Sequence, residues 1–393
     1  MSSVRKRSWK SGGEMKTAWV CDYFDQSGKR HLKTFPTKKA ATDFETTTRN
    51  EVASGTHTPE RDSITVAEAG GLWLERGKRK GLERSTLDKY RNHVDLHIKP
   101  LIGNVKLARL SAPMGEKFHD DLLDKLSRPM AKKVLGSLKS ILAEAQRRGL
   151  VAQNAIGQVK IKIAGRDKRK LAVGRDIPTK AEVAAILKAA TGRWHPLLVT
   201  AVFAGLRASE LRGLTWENVD FGDKVIHVRQ RADQWNKIGS PKSEAGHRAV
   251  PMSPLVLNTL REWKLACPRA ERTDDQPGRL WLVFPNGDGK AESHANIVNR
   301  GFDPIQIAAG VFEPHPAKRD DDGNPVPVAK YGLHALRHFF ASWIIEQGFT
   351  PKRLQVLMGH ASIQMTFDTY GHLFPSLEDD HAKFAAGELA VVK

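Results

Sequence analysis

Two short segments near the start of the chain alternate apolar and polar residues, which is the pattern of half-buried β-strands. Residues 17–24 (TAWVCDYF) and 29–35 (KRHLKTF) predict two strands, and the turn between them ends at Gly28. The stretch that follows, as far as Gly55, predicts a helix that the glycine ends. We therefore expect a small module of sheet plus helix over residues 13–56.

Helical periodicity dominates the next hundred residues. Ser85 is the predicted N-cap of one helix, and Gly149 ends another. The second helix carries an apolar stripe of core positions, formed by Val134, Leu135, Leu138, Ile141, Leu142 and Ala145. Residues 63–158 therefore predict a compact all-helical domain, which a Pro-containing linker at residues 57–62 joins to the first module.

The last part of the chain mixes helices with strands. Thr179 and Glu182 have the spacing of a capping box before an apolar helical segment. Residues 225–230 (VIHVRQ) and 247–252 (HRAVPM) predict two strands, and Ser253 caps the helix that follows. This pattern predicts a mainly helical α+β domain.

These boundaries predict a multidomain protein. We expect a small sheet-plus-helix module at 1–60, an all-helical domain at 61–160, a basic linker at 161–176 and a mainly helical α+β domain with a C-terminal tail at 177–393. Residues 160–176 include seven Lys or Arg and two Asp or Glu, so the linker is expected to lie along phosphates rather than serve only as a solvated spacer.

The net charge is the most unusual feature of the composition. The 393 residues include 63 Lys and Arg against 44 Asp and Glu, a formal charge of +19. Such a surplus attracts polyanions, and duplex DNA releases a counterion for each phosphate that is neutralised. A membrane is the competing partner, but the sequence has neither a basic amphipathic helix nor a lipidation site. A basic protein without such a partner is the simplest alternative.

The first 40 residues hold ten Lys or Arg and three Asp or Glu. A short sheet with basic edges fits a DNA groove, so we expect the N-terminal module to bind DNA rather than to act only as a solubilising appendage. Cys21 and Cys267 have no metal-site or disulfide spacing. With no visible signal peptide and no apolar stretch near the roughly 18 residues of a membrane span, the sequence predicts a cytoplasmic protein.

Polar side chains interrupt two predicted helices at a spacing that places them on one face. In GLRASEL, Arg207 and Glu210 are three residues apart, and alone they are most simply an exposed ion pair worth about 0.3–0.5 kcal/mol. His334 and Arg337 have the same spacing in HALRH. A single histidine on such a helix is more often a hydrogen-bonded core residue than a functional one.

A third segment places His360, in LMGHAS, ten residues before Tyr370, in TFDTY. Residues 366–370 predict a short helix that presents the phenol. Neither residue alone indicates a function, but the order GLRASEL, HALRH, LMGHAS and TFDTY resembles the catalytic signature of the tyrosine recombinase (phage integrase) family. The motifs cover about residues 175–375, and the domain plan extends the resemblance to the whole chain. It implies an arm-type DNA-binding module at 1–60, a core-binding domain at 61–160 and a catalytic domain with a C-terminal tail at 177–393.

The resemblance assigns seven residues to an active site. They match two arginines, a lysine, two histidines, a supporting acidic residue and the tyrosine nucleophile of the family: Arg207, Arg337, Lys242, His334, His360, Glu210 and Tyr370. Lys242, nine residues before Pro251, is expected on a β-hairpin, and Lys237 lies nearby as an alternative. Residues 319–327 (RDDDGNPVP) lengthen the approach to the HxxR motif, and we expect them to form an exposed loop.

Phosphodiester cleavage explains why the family combines these residue types. Two guanidiniums clamp the non-bridging oxygens on which negative charge develops. Attack by Tyr370 forms a 3′-phosphotyrosine, and Lys242 protonates the leaving 5′-oxygen. His334 assists proton transfer at the nucleophile and His360 binds the phosphate. The covalent link conserves the bond energy, so the resemblance implies that no ATP, metal or other cofactor is needed.

The implied partner is double-stranded DNA with the attachment sites of a phage or other mobile element in a bacterial host. The resemblance also implies four protomers on two duplexes, with a directionality factor and a DNA-bending protein as potential partners. Residues 375–393 are expected to dock on a neighbouring protomer, with packing on their own domain as the alternative.

Two other functions fit part of the pattern. A type IB topoisomerase-like enzyme uses the same residue types but relaxes DNA without joining two defined sites. A non-catalytic architectural protein binds DNA but has no need of the complete set of arginines, lysine, histidine and tyrosine. The two-part region before residue 175 favours the recombinase over the first alternative, and the complete set disfavours the second.

Overall fold

A computed structural model of the protein describes residues 2–12, 14–55, 57–60, 63–161, 170–269, 281–374 and 380–392. The chain separates into two compact units, Met1–Lys168 and Arg169–Lys393. The predicted basic linker falls partly on residues 162–169, which lie outside the described ranges. Among the helices of the described ranges, none combines the length and the apolar character needed to cross a membrane.

The first unit begins with a three-stranded antiparallel sheet in the order β1-β2-β3 (Ser3–Ser11, Glu14–Phe24 and Arg30–Phe35). The two predicted strands correspond to β2 and β3, whereas β1 was not predicted. Its sequence, SVRKRSWKS, has little apolar alternation, and β1 is held by pairing with β2 along its whole length. The predicted helix is present as α1 (Lys38–Ala53), and Gly55 follows it with a φ of +69°.

The described residues of the first unit include five further helices: α2 (Val66–Arg79), α3 (Arg84–Asn92), α4 (Lys99–Ile102), α5 (Ala112–Lys125) and α6 (Arg128–Arg147). A π-helical turn, His93–Ile98, joins α3 to α4. The prediction of Ser85 as an N-cap is wrong, because α3 already begins at Arg84 and Glu83 occupies the cap position. The predicted stripe of α6 is buried in the core of this unit, and Gly149 follows with a φ of +71°.

The second unit is mainly helical. Its described helices are α7 (Lys180–Ala189), α8 (Trp194–Ala204), α9 (Ala208–Gly213), α10 (Pro254–Ala266), α11 (His294–Asn296), α12 (Asp303–Ala308), α13 (His334–Glu346), α14 (Pro351–Met358), α15 (Ile363–Tyr370) and α16 (Asp380–Val392). Helix α8 is buried along most of its length and packs against α10 and α13. The capping box predicted for α7 and the Ser253 cap of α10 are both present.

Small sheets accompany these helices. The strands β4 (Val219–Asp220), β5 (Val225–Val228) and β8 (Arg248–Pro251) form one antiparallel sheet, in which the two predicted strands pair directly as β5 and β8. Two hairpins also occur, β6 with β7 (Arg231–Ala232 and Ile238–Gly239) and β9 with β10 (Phe312–Arg319 and Pro325–Ala329).

The excursion before the HxxR motif differs from its prediction. We expected residues 319–327 to form an exposed loop, but they span the end of β9, a turn and the start of β10. The segment is exposed as expected. Its prolines conceal the strand pattern, because proline lacks the N–H that a ladder requires and is tolerated only at edges and bulges. The multidomain fold class itself, with a sheet-plus-helix module, an all-α region and a mainly helical α+β region, is confirmed.

Candidate active site

A glycine at the end of α8 brings the chain to the first candidate residue. Gly205 adopts a left-handed conformation with a φ of +59°, and a Cβ atom there would approach the Phe340 ring of α13 to 2.2 Å. Only glycine satisfies both the backbone conformation and the close approach. The junction between α8 and α9 is therefore held directly against α13.

Arg207 lies just before α9 rather than within it, which corrects the expected shared helical face. Its backbone N–H donates to Glu210 Oε2 at 2.8 Å, and its Nη1 donates to Glu210 Oε1 at 2.7 Å. Its Nη2 donates to the carbonyl oxygen of Gly359 at 2.9 Å. Glu210 thus both caps α9 and fixes the orientation of the Arg207 guanidinium.

Arg337 lies one turn into α13 and is only 2% exposed. Its Nη1 donates to the Gly205 carbonyl oxygen at 2.5 Å, and its Nη2 donates to that of Met358. Gly359, the next residue after Met358, is the carbonyl partner of Arg207. Each guanidinium uses two of its five N–H groups in these contacts, so donors remain for an anion.

The two predicted histidines lie beside the arginines. His334 is the first residue of α13. His360 follows Gly359, which ends α14 in a left-handed conformation with a φ of +59°. The Nδ1 atom of His360 hydrogen-bonds the Thr366 hydroxyl at 2.9 Å. Its ring lies nearly parallel to that of Tyr370, with 6.2 Å between the centroids.

Tyr370 is the last residue of α15 and is 1% exposed. Its hydroxyl lies 2.8 Å from Nδ1 of His338, a residue that the sequence analysis did not single out. His338 follows Arg337 in HALRH and is four residues from His334, so the spacing alone places it on the same face of α13. The available signal was the second histidine of this motif.

Arg248 on β8 is a second residue that the sequence analysis missed. Its Nη2 donates to Glu210 Oε2 at 2.8 Å and its Nη1 to Glu210 Oε1 at 3.1 Å, and both side chains are 2% exposed. Its Nε donates to the Leu357 carbonyl oxygen at 2.7 Å. Alternation with the buried Val250 on the strand was the signal for an inward-facing arginine. Arg248 therefore joins the GLRASEL motif, through Glu210, to the LMGHAS motif, through Leu357.

Lys242 lies outside the secondary structure that was expected for it. It was expected on a hairpin strand, but it lies in the loop between β7 and β8, where it is exposed. The alternative, Lys237, lies in the turn between β6 and β7. The loop that carries Lys242 approaches the site farther along, where the Gly246 carbonyl oxygen accepts from Arg248 Nη1 at 3.1 Å. The backbone of this loop therefore contacts the arginine cluster through Gly246.

Burial and the arginine charges set the ionisation of these groups. Burial raises the pKa of Tyr370 to about 12, although the charges of Arg337 and Arg207 oppose this. Burial lowers the pKa values of His338 and His360 to about 4 each, helped by His334 and Arg337 at His338 and mainly by arginines at His360. At neutral pH the site therefore combines two cationic forks, neutral imidazoles and a protonated phenol, which suits binding of an anion beside a nucleophile.

Glu210 gives this cluster a measurable acid sensitivity. Burial alone raises the pKa of Glu210, but the hydrogen bonds and charge of Arg248, with the charges of Arg337 and Arg207, outweigh it and lower the pKa to about 2. A depressed pKa contributes stability above the unfolded value of 4.5, and this is lost as the pH falls from 4.5 towards 2. We expect Glu210→Gln to cost about 3 kcal/mol at pH 7 and progressively less below pH 4.5.

Urea unfolding of both proteins across this pH range would measure the difference. Glu346→Gln is a matched control, because Glu346 forms an exposed ion pair with Lys180, and its effect should be small at every pH. A Glu210→Gln cost that stays constant down to pH 3 would show that the carboxylate charge is not what stabilises the site.

The model of the phage integrase family matches residues 178–376, which is half of the chain and includes all seven candidate site residues. The chain belongs to the phage integrase family. This integrase is 26% identical over 391 residues to the tyrosine recombinase XerC-like protein of Caldanaerobacter subterraneus, an alignment that covers 93% of this chain and 94% of that one. The resemblance inferred from the four motifs is confirmed.

Solved structures support the fold of the integrase. The Tn1549 transposon integrase in complex with a circular intermediate DNA superposes with a TM-score of 0.63 at 19% identity, covering 83% of this chain and 100% of that chain. A lambda integrase tetramer bound to a Holliday junction gives a TM-score of 0.55 at 18% identity, covering 87% and 93% of the two chains. The integrase therefore shares its multidomain architecture with enzymes of mobile DNA elements.

Proposed function

We propose that this integrase is a site-specific tyrosine recombinase that cuts and rejoins duplex DNA through a 3′-phosphotyrosine at Tyr370. One observation carries the proposal: the buried phenol lies in a cluster with His338 and His360, and the charges of Arg207 and Arg337 act on it. Four motifs that are distant in sequence supply these groups. The guanidiniums of Arg207 and Arg337 are fixed by Glu210 and by backbone carbonyl oxygens beside this phenol.

The two arginines supply the electrostatic part of the reaction. Their planar forks match the non-bridging oxygens of a phosphodiester, and their backbone contacts hold them in place before DNA arrives. Such prearranged donors stabilise the developing charge by several kcal/mol, on the order of 3–4 for one lost donor. Arg207 and Arg337 thus act on the scissile phosphate, and Glu210 orients Arg207.

The two ends of the reaction need separate proton transfers. Tyr370 attacks phosphorus, and the leaving 5′-oxygen takes a proton from Lys242, which the exposed loop between β7 and β8 carries to the DNA. His334 assists proton transfer at the nucleophile, and His360 hydrogen-bonds the phosphate. Attack by a 5′-hydroxyl of another duplex then reverses the step and exchanges the strands.

Duplex DNA with attachment sites is the proposed substrate, consistent with the net charge of +19. By likeness to the lambda integrase tetramer, four protomers would act on two duplexes. The sheet of β1, β2 and β3 would bind separate arm sequences, and a directionality factor and a DNA-bending protein are the expected accessory partners. The reaction belongs in the cytoplasm of a bacterial host, where such DNA is found.

Trapping the covalent adduct tests the proposal. The integrase is incubated with DNA that spans both ends of the element carrying its gene, the adduct is isolated under denaturing conditions, and the joined products are sequenced. We expect one defined crossover sequence and joining of two sites. Relaxation of supercoils without joining would instead favour the topoisomerase alternative, and binding without any adduct would favour the architectural one.

Metal and nucleotide independence is a further expected result. Because Arg207 and Arg337 provide the positive charge at the phosphate and the phosphotyrosine conserves the bond energy, adduct formation should be unchanged in excess EDTA and without ATP. The measurement is the yield of adduct with and without chelator. A fall of more than about tenfold that Mg²⁺ restores would mean that the guanidiniums do not carry the charge alone.

A further inference from the structure

The hydroxyl of Tyr370 has a specific partner that the family motifs did not indicate. His338 Nδ1 lies 2.8 Å from the phenolic oxygen, and the two rings meet edge to face with 5.7 Å between their centroids. His334, the histidine expected to serve the nucleophile, instead lies edge-on to the His338 ring at 4.7 Å. The imidazole that contacts the attacking atom is therefore that of His338.

Two helices hold this contact in place. Residues 334, 337 and 338 are spaced by three and four along α13, which puts both imidazoles and the Arg337 guanidinium on one face. Tyr370 reaches this face from the end of α15, within an apolar cluster that includes Phe340, Leu354 and Met358. The pairing is a product of packed helices and not of an exposed side chain that happens to lie nearby.

The ionisation of the pair suits a hydrogen bond that the phenol donates to the imidazole. Burial raises the pKa of Tyr370 to about 12, so the phenol keeps its proton at neutral pH. Burial, then His334 and Arg337, lower the pKa of His338 to about 4, and Asp176 opposes them. The imidazole is thus neutral, and in the tautomer that carries the ring proton on Nε2 its Nδ1 accepts the hydrogen bond that the phenolic hydroxyl donates.

We infer that His338 is a catalytic residue, the base that accepts the phenolic proton when Tyr370 attacks the DNA phosphate. The inference rests on the proposed recombinase function. As the Tyr370 Oη–phosphorus bond forms and the phosphorus–O5′ bond breaks, the phenolic proton moves to Nδ1 of His338, and the 5′-oxygen takes a proton from Lys242. In the reverse step His338 returns the proton to the departing phenol.

The low basicity of His338 in the free site is compatible with this role. A phenol becomes strongly acidic as its oxygen bonds to phosphorus, so the acceptor need not outcompete a free phenolate. An incoming phosphate also adds negative charge beside Arg337 and stabilises the imidazolium. His334, next to His338 but not in described contact with the phenol, is then a positioning residue for the base.

Three variants of the full-length integrase test the inference: His338→Asn, His338→Ala and Lys242→Ala. Asparagine places a side-chain oxygen near the position of Nδ1 and retains a hydrogen-bond acceptor, but it is not a base. Single-turnover adduct formation is measured on a duplex carrying the mapped cleavage site. The same rates are measured on a duplex with sulfur in place of the bridging 5′-oxygen, because a thiolate leaves without being protonated.

We expect both His338 variants to cleave the oxygen substrate about 10²–10⁴-fold more slowly than the wild type. Sulfur should rescue Lys242→Ala but neither His338 variant, since the phenolic proton must still be removed. His227→Asn, the same change at a half-buried histidine on β5, should be indistinguishable from wild type. Circular dichroism and DNA retention confirm that each variant is folded.

Several outcomes would overturn the inference. Wild-type cleavage by His338→Asn would show that only a hydrogen-bond acceptor is needed, and rescue of His338→Ala by sulfur would place His338 at the leaving group. Failure of the wild type to form any adduct would instead contradict the proposed function itself, so the two failures are distinguishable.

Discussion

Tyr370→Phe is expected to abolish covalent protein–DNA adducts while leaving the integrase folded. The ring is 1% exposed and packs in an apolar cluster with Phe340, Leu354 and Met358, and phenylalanine preserves that packing. The substitution removes the hydroxyl and its hydrogen bond to His338, at a cost of about 0.5–1.5 kcal/mol of stability. With attachment-site DNA, native gels of the variant should still show binding. Denaturing gels of the same mixture should show no covalent band.

The small number of tyrosines allows a complete control. The chain has four tyrosines, and the other three have structural environments. The hydroxyl of Tyr23 hydrogen-bonds His57, that of Tyr331 donates to Glu182, and the ring of Tyr90 packs on Trp73. Their phenylalanine variants should retain the adduct. An adduct that persists in Tyr370→Phe, or that disappears in one of the other three, would assign the nucleophile elsewhere.

Arg248→Met is expected to destabilise the C-terminal unit by about 3–5 kcal/mol, the usual cost of removing one partner of a buried ion pair. Glu210 would keep its bonds to Arg207 but lose the two guanidinium contacts that balance its buried charge. The carbonyl oxygens of Leu357 and Gly246 would lose their donor as well. Urea unfolding with tryptophan fluorescence would measure the loss.

Lys180→Met is the matched control for this change. Lys180 pairs with Glu346 in the same unit, but both side chains are more than half exposed, so its removal should cost at most about 1 kcal/mol. If Arg248→Met cost no more than Lys180→Met, the buried pair would not be what joins the motifs. Partial recovery in Arg248→Lys would indicate that charge contributes even without the planar fork.

Sequence patterns predicted most of the helices and strands that are determined by residues close together in the chain. The buried stripe of α6 and the capping box of α7 follow from residues three or four apart, and both are present. Strand β1 was missed because its place depends on pairing with β2 and not on its own alternation. The hairpin of β9 and β10 was missed because prolines remove the ladder N–H groups that identify a strand.

Motif order predicted which residues lie in the site, but not how they contact one another. The structure gathers Arg207, Arg337, His360 and Tyr370 as the resemblance implied, while it leaves Lys242 on an exposed loop. Arg248 and His338 were not identified, because their importance lies in partners more than 30 positions away. Spacing within one helix carries no information about such contacts.

The close packing of Gly205 on Phe340 has a consequence for how such enzymes diversify. A side-chain carbon at position 205 would lie 2.2 Å from the Phe340 ring, so a larger residue cannot replace Gly205 while Phe340 is present. The two residues are far apart in sequence, since Gly205 precedes Arg207 and Phe340 follows Arg337. Substitutions at positions 205 and 340 should therefore be correlated among descendants of this gene. A lineage that acquires alanine at the first is expected to carry a smaller residue than phenylalanine at the second.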